Sequence, residues 1–205
     1  MVSDLKEEPR MKKWTLTKLE AVGGKGGHLF DSGCNPSGVK KVRIEYGKFD
    51  WNGNKYLCLV KRVFLDFTDG NAVSYIGCGV CTTGKVTSTF ELCPNDEISK
   101  VVVWSDDKYV TAIQFYTMAG IVSPMYGIPK DKNSKDKNSV ETTFEGGPGS
   151  RLVGIHGRFA GVIDKLGFTF AVASDVPCEI GNTVLTGDTS DHDSVTMVSM
   201  GAQEG

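Results

Sequence analysis

The sequence has no apolar run approaching the roughly 18 residues that span a bilayer, so no membrane-crossing helix is expected. It also lacks a dominant charge. Its 23 basic residues stand against 25 acidic ones, a formal net charge of −2, which leaves no broad positive field to attract nucleic acid or anionic lipid. Neither is expected as a partner. Histidine is scarce, with three in 205 residues, and no Gly-x-Ser-x-Gly elbow, HExxH helix or phosphate loop occurs. Those absences remove the usual signatures of hydrolase, zinc-protease and nucleotide chemistry, so no catalytic residue, metal ligand or cofactor is assigned and an enzyme is not expected. Asp106-Asp107, between Trp104 and Tyr109, does not make a glycosidase pair, because adjacent acids on a strand point to opposite faces. Long amphipathic helical periodicity is missing too.

What the chain does have is short β-like runs separated by turn signals. These are Val39 to Tyr46, Tyr56 to Phe67, Val73 to Ile76, Val86 to Leu92, Ile98 to Trp104, Tyr109 to Tyr116, Leu152 to Ile155 and Ile163 to Phe170. With 25 glycines they predict an all-β barrel, sandwich or prism. In the first run Val42, Ile44 and Tyr46 share one face and Lys41, Arg43 and Glu45 the other, as in a sheet with one wet side. The length suits a single domain with tails, set here at residues 14–172. Residues 1–13 form a polar N-terminal segment without the character of a secretory signal, and 173–205 an acidic, Ser/Thr-rich tail; both are expected to be flexible. Lys-Asp-Lys-Asn-Ser occurs twice in tandem at 130–139 and predicts a solvated surface loop. Asp188, Asp191 and Asp193 in the tail lack the glycine turn and terminal acid of a calcium loop.

Six cysteines, at 34, 58, 78, 81, 93 and 178, are an even number spread over loop-like regions. They favour disulfides, and with them a secreted or extracellular location, over reduced thiols in the cytoplasm. Cys78-Gly-Val-Cys81 leaves a redox pair or half a zinc site as the lesser alternative.

Two glycine-bearing loops carry the functional reading. Gly23-Gly-Lys-Gly-Gly27 places four glycines in five positions, which a packed element would not tolerate but a tight loop with exposed backbone N–H groups would. Gly154 to Phe170 sets one acid, Asp164, among glycines between two strand-like runs. The first loop is echoed loosely by Gly146-Gly-Pro-Gly-Ser150, as a fold of similar sheet units would produce. In order and spacing, these loops together with Val39 to Gly47, Asp96-Glu-Ile98, Val110 to Tyr116, Tyr126-Gly127 and the closing Gly-Phe-Thr-Phe resemble the jacalin-like lectin family across residues 14 to 172.

The resemblance implies a β-prism I of three four-stranded antiparallel sheets and a non-catalytic carbohydrate-binding protein. Carried over by position, it implies a sugar site made of Gly27, the backbone N–H groups of Gly161 and Val162, and the Asp164 carboxylate. The chemistry is sound in itself. A carboxylate accepts two hydroxyl protons in charge-assisted bonds, and glycine lets backbone N–H groups approach a polyol. Departures from the family motif are Ala160 where a glycine begins it and Gly161 where an aromatic or polar residue is common. An alanine would distort the loop if that position needs positive φ. Lys48 to Cys93 matches poorly, with an insertion around Trp51-Asn-Gly-Asn54. Expected partners are glycans of mannose, glucose or galactose type, neutral or charged, with oligomers supplying avidity. The alternatives are a prism that has lost its sugar site and binds a protein, and an Asp164 that only holds its own turn.

Overall fold

The computed structural model describes residues 10–51, 54–76, 84–129, 139–177 and 196–198. Cys78, Cys81, Cys178, the tandem repeat up to residue 138 and the tail acids Asp188, Asp191 and Asp193 lie outside the described residues.

The chain first lays down three strands of one sheet: β1 (Arg10–Lys18), β2 (Val22–Gly23) and β3 (His28–Asp31). It then builds a second sheet from β4 (Val39–Trp51), β5 (Asn54–Phe67), β6 (Ala72–Ile76) and β7 (Lys85–Glu91). A third follows from β8 (Ile98–Ser105), β9 (Val110–Thr117), β10 (Tyr126–Gly127) and β11 (Val140–Glu145). Finally β12 (Ser150–Phe159), β13 (Ile163–Pro177) and β14 (Thr196–Val198) return to complete the first sheet. Every pairing is antiparallel. The second and third sheets run β6-β5-β4-β7 and β10-β9-β8-β11, the same Greek-key order twice over.

The fold is therefore the all-β prism expected, three antiparallel sheets around one core. The first sheet is broader than four strands, because β2 and β14 add to the order β1-β13-β12-β3. Strand pairing also runs past residues 14 and 172, since Arg10 to Lys18 pairs with Pro177 back to Thr169. The Trp51-to-Asn54 segment is the end of a long β4–β5 hairpin, in which those two residues pair.

Alternation on each strand sends one apolar set inward. Val42 and Ile44 from the second sheet, Val101, Val103, Ile113 and Phe115 from the third, and Leu152, Leu166, Phe168 and Phe170 from the first are all fully buried in one cluster. Phe144 meets Phe168 edge to face at 4.9 Å, tying the third sheet to the first. Fully burying a side chain of this kind contributes about 1.5–3 kcal/mol, so this centre carries the fold. The wet face of β4 departs from expectation at Glu45, which is only 7 % exposed. Lys85 Nζ at 2.9 Å and Arg62 Nη1 at 3.3 Å flank its carboxylate, which is how a charge comes to be tolerated there.

A smaller cluster sits on the opposite face of the first sheet. Trp14 of β1 packs on Val153 and Ala171, and the Arg151 guanidinium lies 4.1 Å over its ring. Arg151 Nη1 also reaches Glu97 Oε1 at 2.7 Å, a half-buried tie from the first sheet to the start of the third.

The expected disulfides do not appear among the described cysteines: Cys34, Cys58 and Cys93 are free thiols. Their positions explain it. Cys34 follows β3 against the Trp14 cluster, Cys58 lies in β5, and Cys93 is exposed beyond β7. Burial raises the Cys34 and Cys58 thiols above their ordinary range, so neither is an activated thiolate.

Candidate functional site

The β12–β13 hairpin and the glycine loop between β2 and β3 meet at one end of the prism. At the hairpin tip Phe159 pairs with Ile163, leaving Ala160, Gly161 and Val162 as the turn, which Ala160 N closes by donating to Val162 O at 3.0 Å. Val162 anchors that turn. Its side chain is buried with Phe49 and Leu59 of the second sheet, and Tyr109 packs edge-on against Phe49 at 5.7 Å.

The glycine loop is tied to the hairpin along its length. Gly23 pairs with Lys165, and Gly24 N donates to Asp164 O at 2.7 Å. Arg158 then reaches across, Nε donating to Gly26 O at 2.8 Å and Nη2 to Gly27 O at 3.1 Å. These glycines are required by closeness as much as by turn geometry. A Cβ on Gly24 would lie 2.2 Å from Lys108 O, and one on Gly26 2.9 Å from Asp164 Oδ1. Gly27 has φ +66°, and a Cβ there would lie 2.4 Å from Phe159 O and 2.6 Å from Asp164 Oδ2.

The four residues named from the sequence therefore converge, but in different ways. Asp164 and Gly27 are in direct apposition. Gly161 and Val162 lie in the turn immediately before the acid, with the Val162 side chain turned into the core and only its backbone available to a ligand. Ala160 causes no distortion, because Asn95 alone among the described non-glycine residues has positive φ.

Asp164 is the unusual group. It is 5 % exposed, and its Oδ2 is buried without a hydrogen-bond partner. Burial pushes its carboxyl up to about 6, against the opposing pull of the Ala160 backbone N–H and the Arg158 guanidinium. The site is thus a carboxylate with one spare acceptor, walled by backbone that carries no side chains on the glycine side. It can accept hydrogen bonds from hydroxyls.

Two contributors escaped the sequence reading. Arg158 clamps a loop more than 130 residues away in sequence. The β8–β9 turn packs under Gly24, and Asp106 Oδ1 holds that turn by accepting from Lys108 N at 2.8 Å and Tyr109 N at 2.7 Å. Asp106 and Asp107, adjacent acids on a strand by the sequence reading, lie instead in the turn between β8 and β9, and nothing in the sequence placed that turn beside the glycine loop.

The sequence model of the family described as Jacalin-like lectin domain matches residues 19–169. Jacalin-related lectin 35 of Arabidopsis thaliana is 30 % identical over 201 residues, covering 91 % of this chain and 40 % of its own length. Myrosinase-binding protein 2 of the same plant is 31 % identical over 160 residues, covering 75 % of this chain and 22 % of its own. The chain thus spans less than half the length of these curated relatives. Among solved structures, single-chain recombinant jacalin superposes with a TM-score of 0.57 at 16 % identity, over 76 % of this chain and 94 % of that one. A Malaysian banana lectin gives 0.56 at 17 % identity, over 76 % and 96 %.

Proposed function

Because this chain belongs to the jacalin-like lectin domain family, we propose that it is a non-catalytic lectin whose sugar site is the Asp164 carboxylate faced by the Gly26–Gly27 backbone, with Gly161 and Val162 as N–H donors. Membership supports carbohydrate binding in general. The site assignment rests on one observation, the buried Asp164 Oδ2 without a partner. An acid that served only its own turn would spend both oxygens on the turn. An unsatisfied buried acceptor costs about 1–3 kcal/mol, and a ligand hydroxyl removes that cost. Arg158 supports the reading by holding the Gly26–Gly27 backbone in place against the hairpin that carries Asp164. A single monosaccharide in such a site binds weakly, so repeated glycans or multiple copies of the domain supply working avidity.

The test is a glycan array probed with the wild-type protein and Asp164→Asn. The substitution keeps the side chain's size and removes the charge and one acceptor. Loss of at least about tenfold in affinity is expected, since charge-assisted bonds contribute about 1.5–3 kcal/mol each. Equal glycan binding by both proteins would remove Asp164 from the site.

A second reading, a prism that docks a protein, draws on the relatives named for binding myrosinase, at 31 % and 29 % identity. Silence on the array together with retention of purified myrosinase in a pull-down would favour it. An extracellular or secreted location is proposed with the lectin reading, and fractionation of cells expressing the natural protein tests it.

A further inference from the structure

Beside the proposed sugar site, the outer face of the first sheet carries a cavity of about 660 Å³, a size that takes a small ligand. Two rows of residues, set by strand register, run along it and bring Leu29, Arg158, Lys165, Asp31 and His156 into its lining. In the first, Leu29 of β3 stands opposite Arg158 of β12, Arg158 opposite Lys165 of β13, and Lys165 opposite Gly23 of β2. In the second, two residues along each strand and so on the same face, Asp31 stands opposite His156 and His156 opposite Gly167. A Cβ on Gly167 would lie 2.6 Å from His156 Nε2, so its absence makes room for the imidazole.

The first row is electrostatically wrong for an empty surface. Like charges directly opposite on neighbouring strands are destabilising, yet Arg158 and Lys165 face each other across β12 and β13. Arg158 spends donors on the neutral carbonyls of Gly26 and Gly27, and its charge meets the buried Asp164 carboxylate only through space, without a hydrogen bond among the described contacts. Lys165 has no carboxylate partner among the described residues. Of the two acids lining the cavity, Asp31 is occupied by Lys18 Nζ at 2.6 Å, and Glu20 is the other. Leu29, 76 % exposed, gives the row an apolar end. His156 Nδ1 is buried with no partner, a spare acceptor or donor in the second row.

We infer that this cavity is a subsite for an anionic sugar residue, a uronic acid or a sulfated sugar, in a glycan whose adjoining neutral residue sits at Asp164. The anion bridges Arg158 and Lys165, and the apolar face of its ring lies along Leu29. Arg158 belongs to both sites, holding the glycine loop of one while lining the other, so two linked sugars can engage them together. This inference rests on the lectin reading for the neutral residue only.

Two probe pairs test it: an oligosaccharide of neutral sugars carrying one uronic acid against its carboxyl-reduced form, and a neutral oligosaccharide carrying one sulfated residue against its desulfated form, each titrated calorimetrically. At low salt at least one acidic member should bind about tenfold or more tightly than its neutral counterpart, and the advantage should fade at high salt. Which pair shows it tells carboxylate from sulfate. Lys165→Gln should abolish the advantage and leave binding of the neutral forms unchanged, and Lys18→Gln should reduce it. No preference for the acidic member in either pair, or a preference that Lys165→Gln leaves intact, overturns the subsite. An acidic preference together with neutral-form binding that Asp164→Asn leaves undiminished keeps the subsite and rejects the assignment of Asp164, and absence of binding by all four probes rejects both.

Discussion

At Asp164 the fold holds a carboxylate where a carboxylate is costly. Its folded-state value of about 6 stands above the ordinary 3.8, chiefly through burial. A group raised in this way stabilises the fold fully below its unfolded value and loses that contribution as pH rises through its folded value. At neutral pH the charge therefore works against folding. Asp164→Asn carries no such charge and should melt at the same temperature as the wild type or a few degrees above it at pH 7.5, measured by calorimetry; a large drop would make the residue a structural turn acid. Sugar binding has the opposite pH sense. Hydroxyl donors favour the ionised form, so affinity should hold above pH 6 and fall about tenfold at pH 5 as the carboxyl protonates, with proton uptake or release visible in titrations run in different buffers. Flat affinity between pH 7 and 5 would mean that the carboxylate does not meet the sugar. The meeting of Asp164 with Gly27 followed from the family resemblance, which one acid among glycines first suggested. Arg158 was not legible in the sequence, because a cation at the end of a strand looks the same whether it points to water or clamps a distant carbonyl. Gly27→Val is a poor probe of the sugar, since its Cβ would strike Phe159 O before it reached any ligand.

The hairpin β12–β13 owes its precision to the element beneath it. Val162 fixes the turn into the second sheet through Phe49 and Leu59. Removing two methyl groups there, Val162→Ala, should cost about 2 kcal/mol in a denaturant melt. It should also lower glycan affinity per folded molecule, because the Gly161 and Val162 N–H groups lose their footing. Phe168→Ala, deeper in the core, should cost more, about 3–5 kcal/mol, while leaving affinity per folded molecule unchanged. If the two variants behave alike in binding, Val162 has no special hold on the site. Strand periodicity found all the long central strands, β4, β5, β8, β9, β12 and β13, because both their faces are decided by burial. It missed the short β2, β3 and β10, whose two to four residues hold no repeat. It also missed β1, whose Arg-Met-Lys-Lys start reads as polar tail until Trp14 is seen packed on the outer face of the sheet. β11 carries threonines and glutamates on an edge, where pairing rather than apolar alternation makes the strand.

Three sheets closing on one apolar centre give the molecule its stability without a covalent staple among the described residues, and this decides how the cysteines should behave. A count of six thiols suggested bridges, because number and loop-like setting are all that a sequence displays, whereas pairing depends on which sheet each thiol joins. Cys34, Cys58 and Cys93 belong to separate elements, and burial holds the first two above the usual thiol range. Alkylation of the unfolded, unreduced protein should tag at least these three, read as added mass. Under native conditions the exposed Cys93 should react first and the half-buried Cys34 and Cys58 more slowly. Each bridge typically contributes about 2–4 kcal/mol, and in a domain of this size 1 kcal/mol moves the melting temperature by about 2–4 °C. A reductant that broke a bridge supporting the prism would therefore lower the melt by about 5–15 °C. The expected shift is near zero. A fall of that size, or fewer than three tagged thiols, would show that a cysteine described here as free is bonded in the protein.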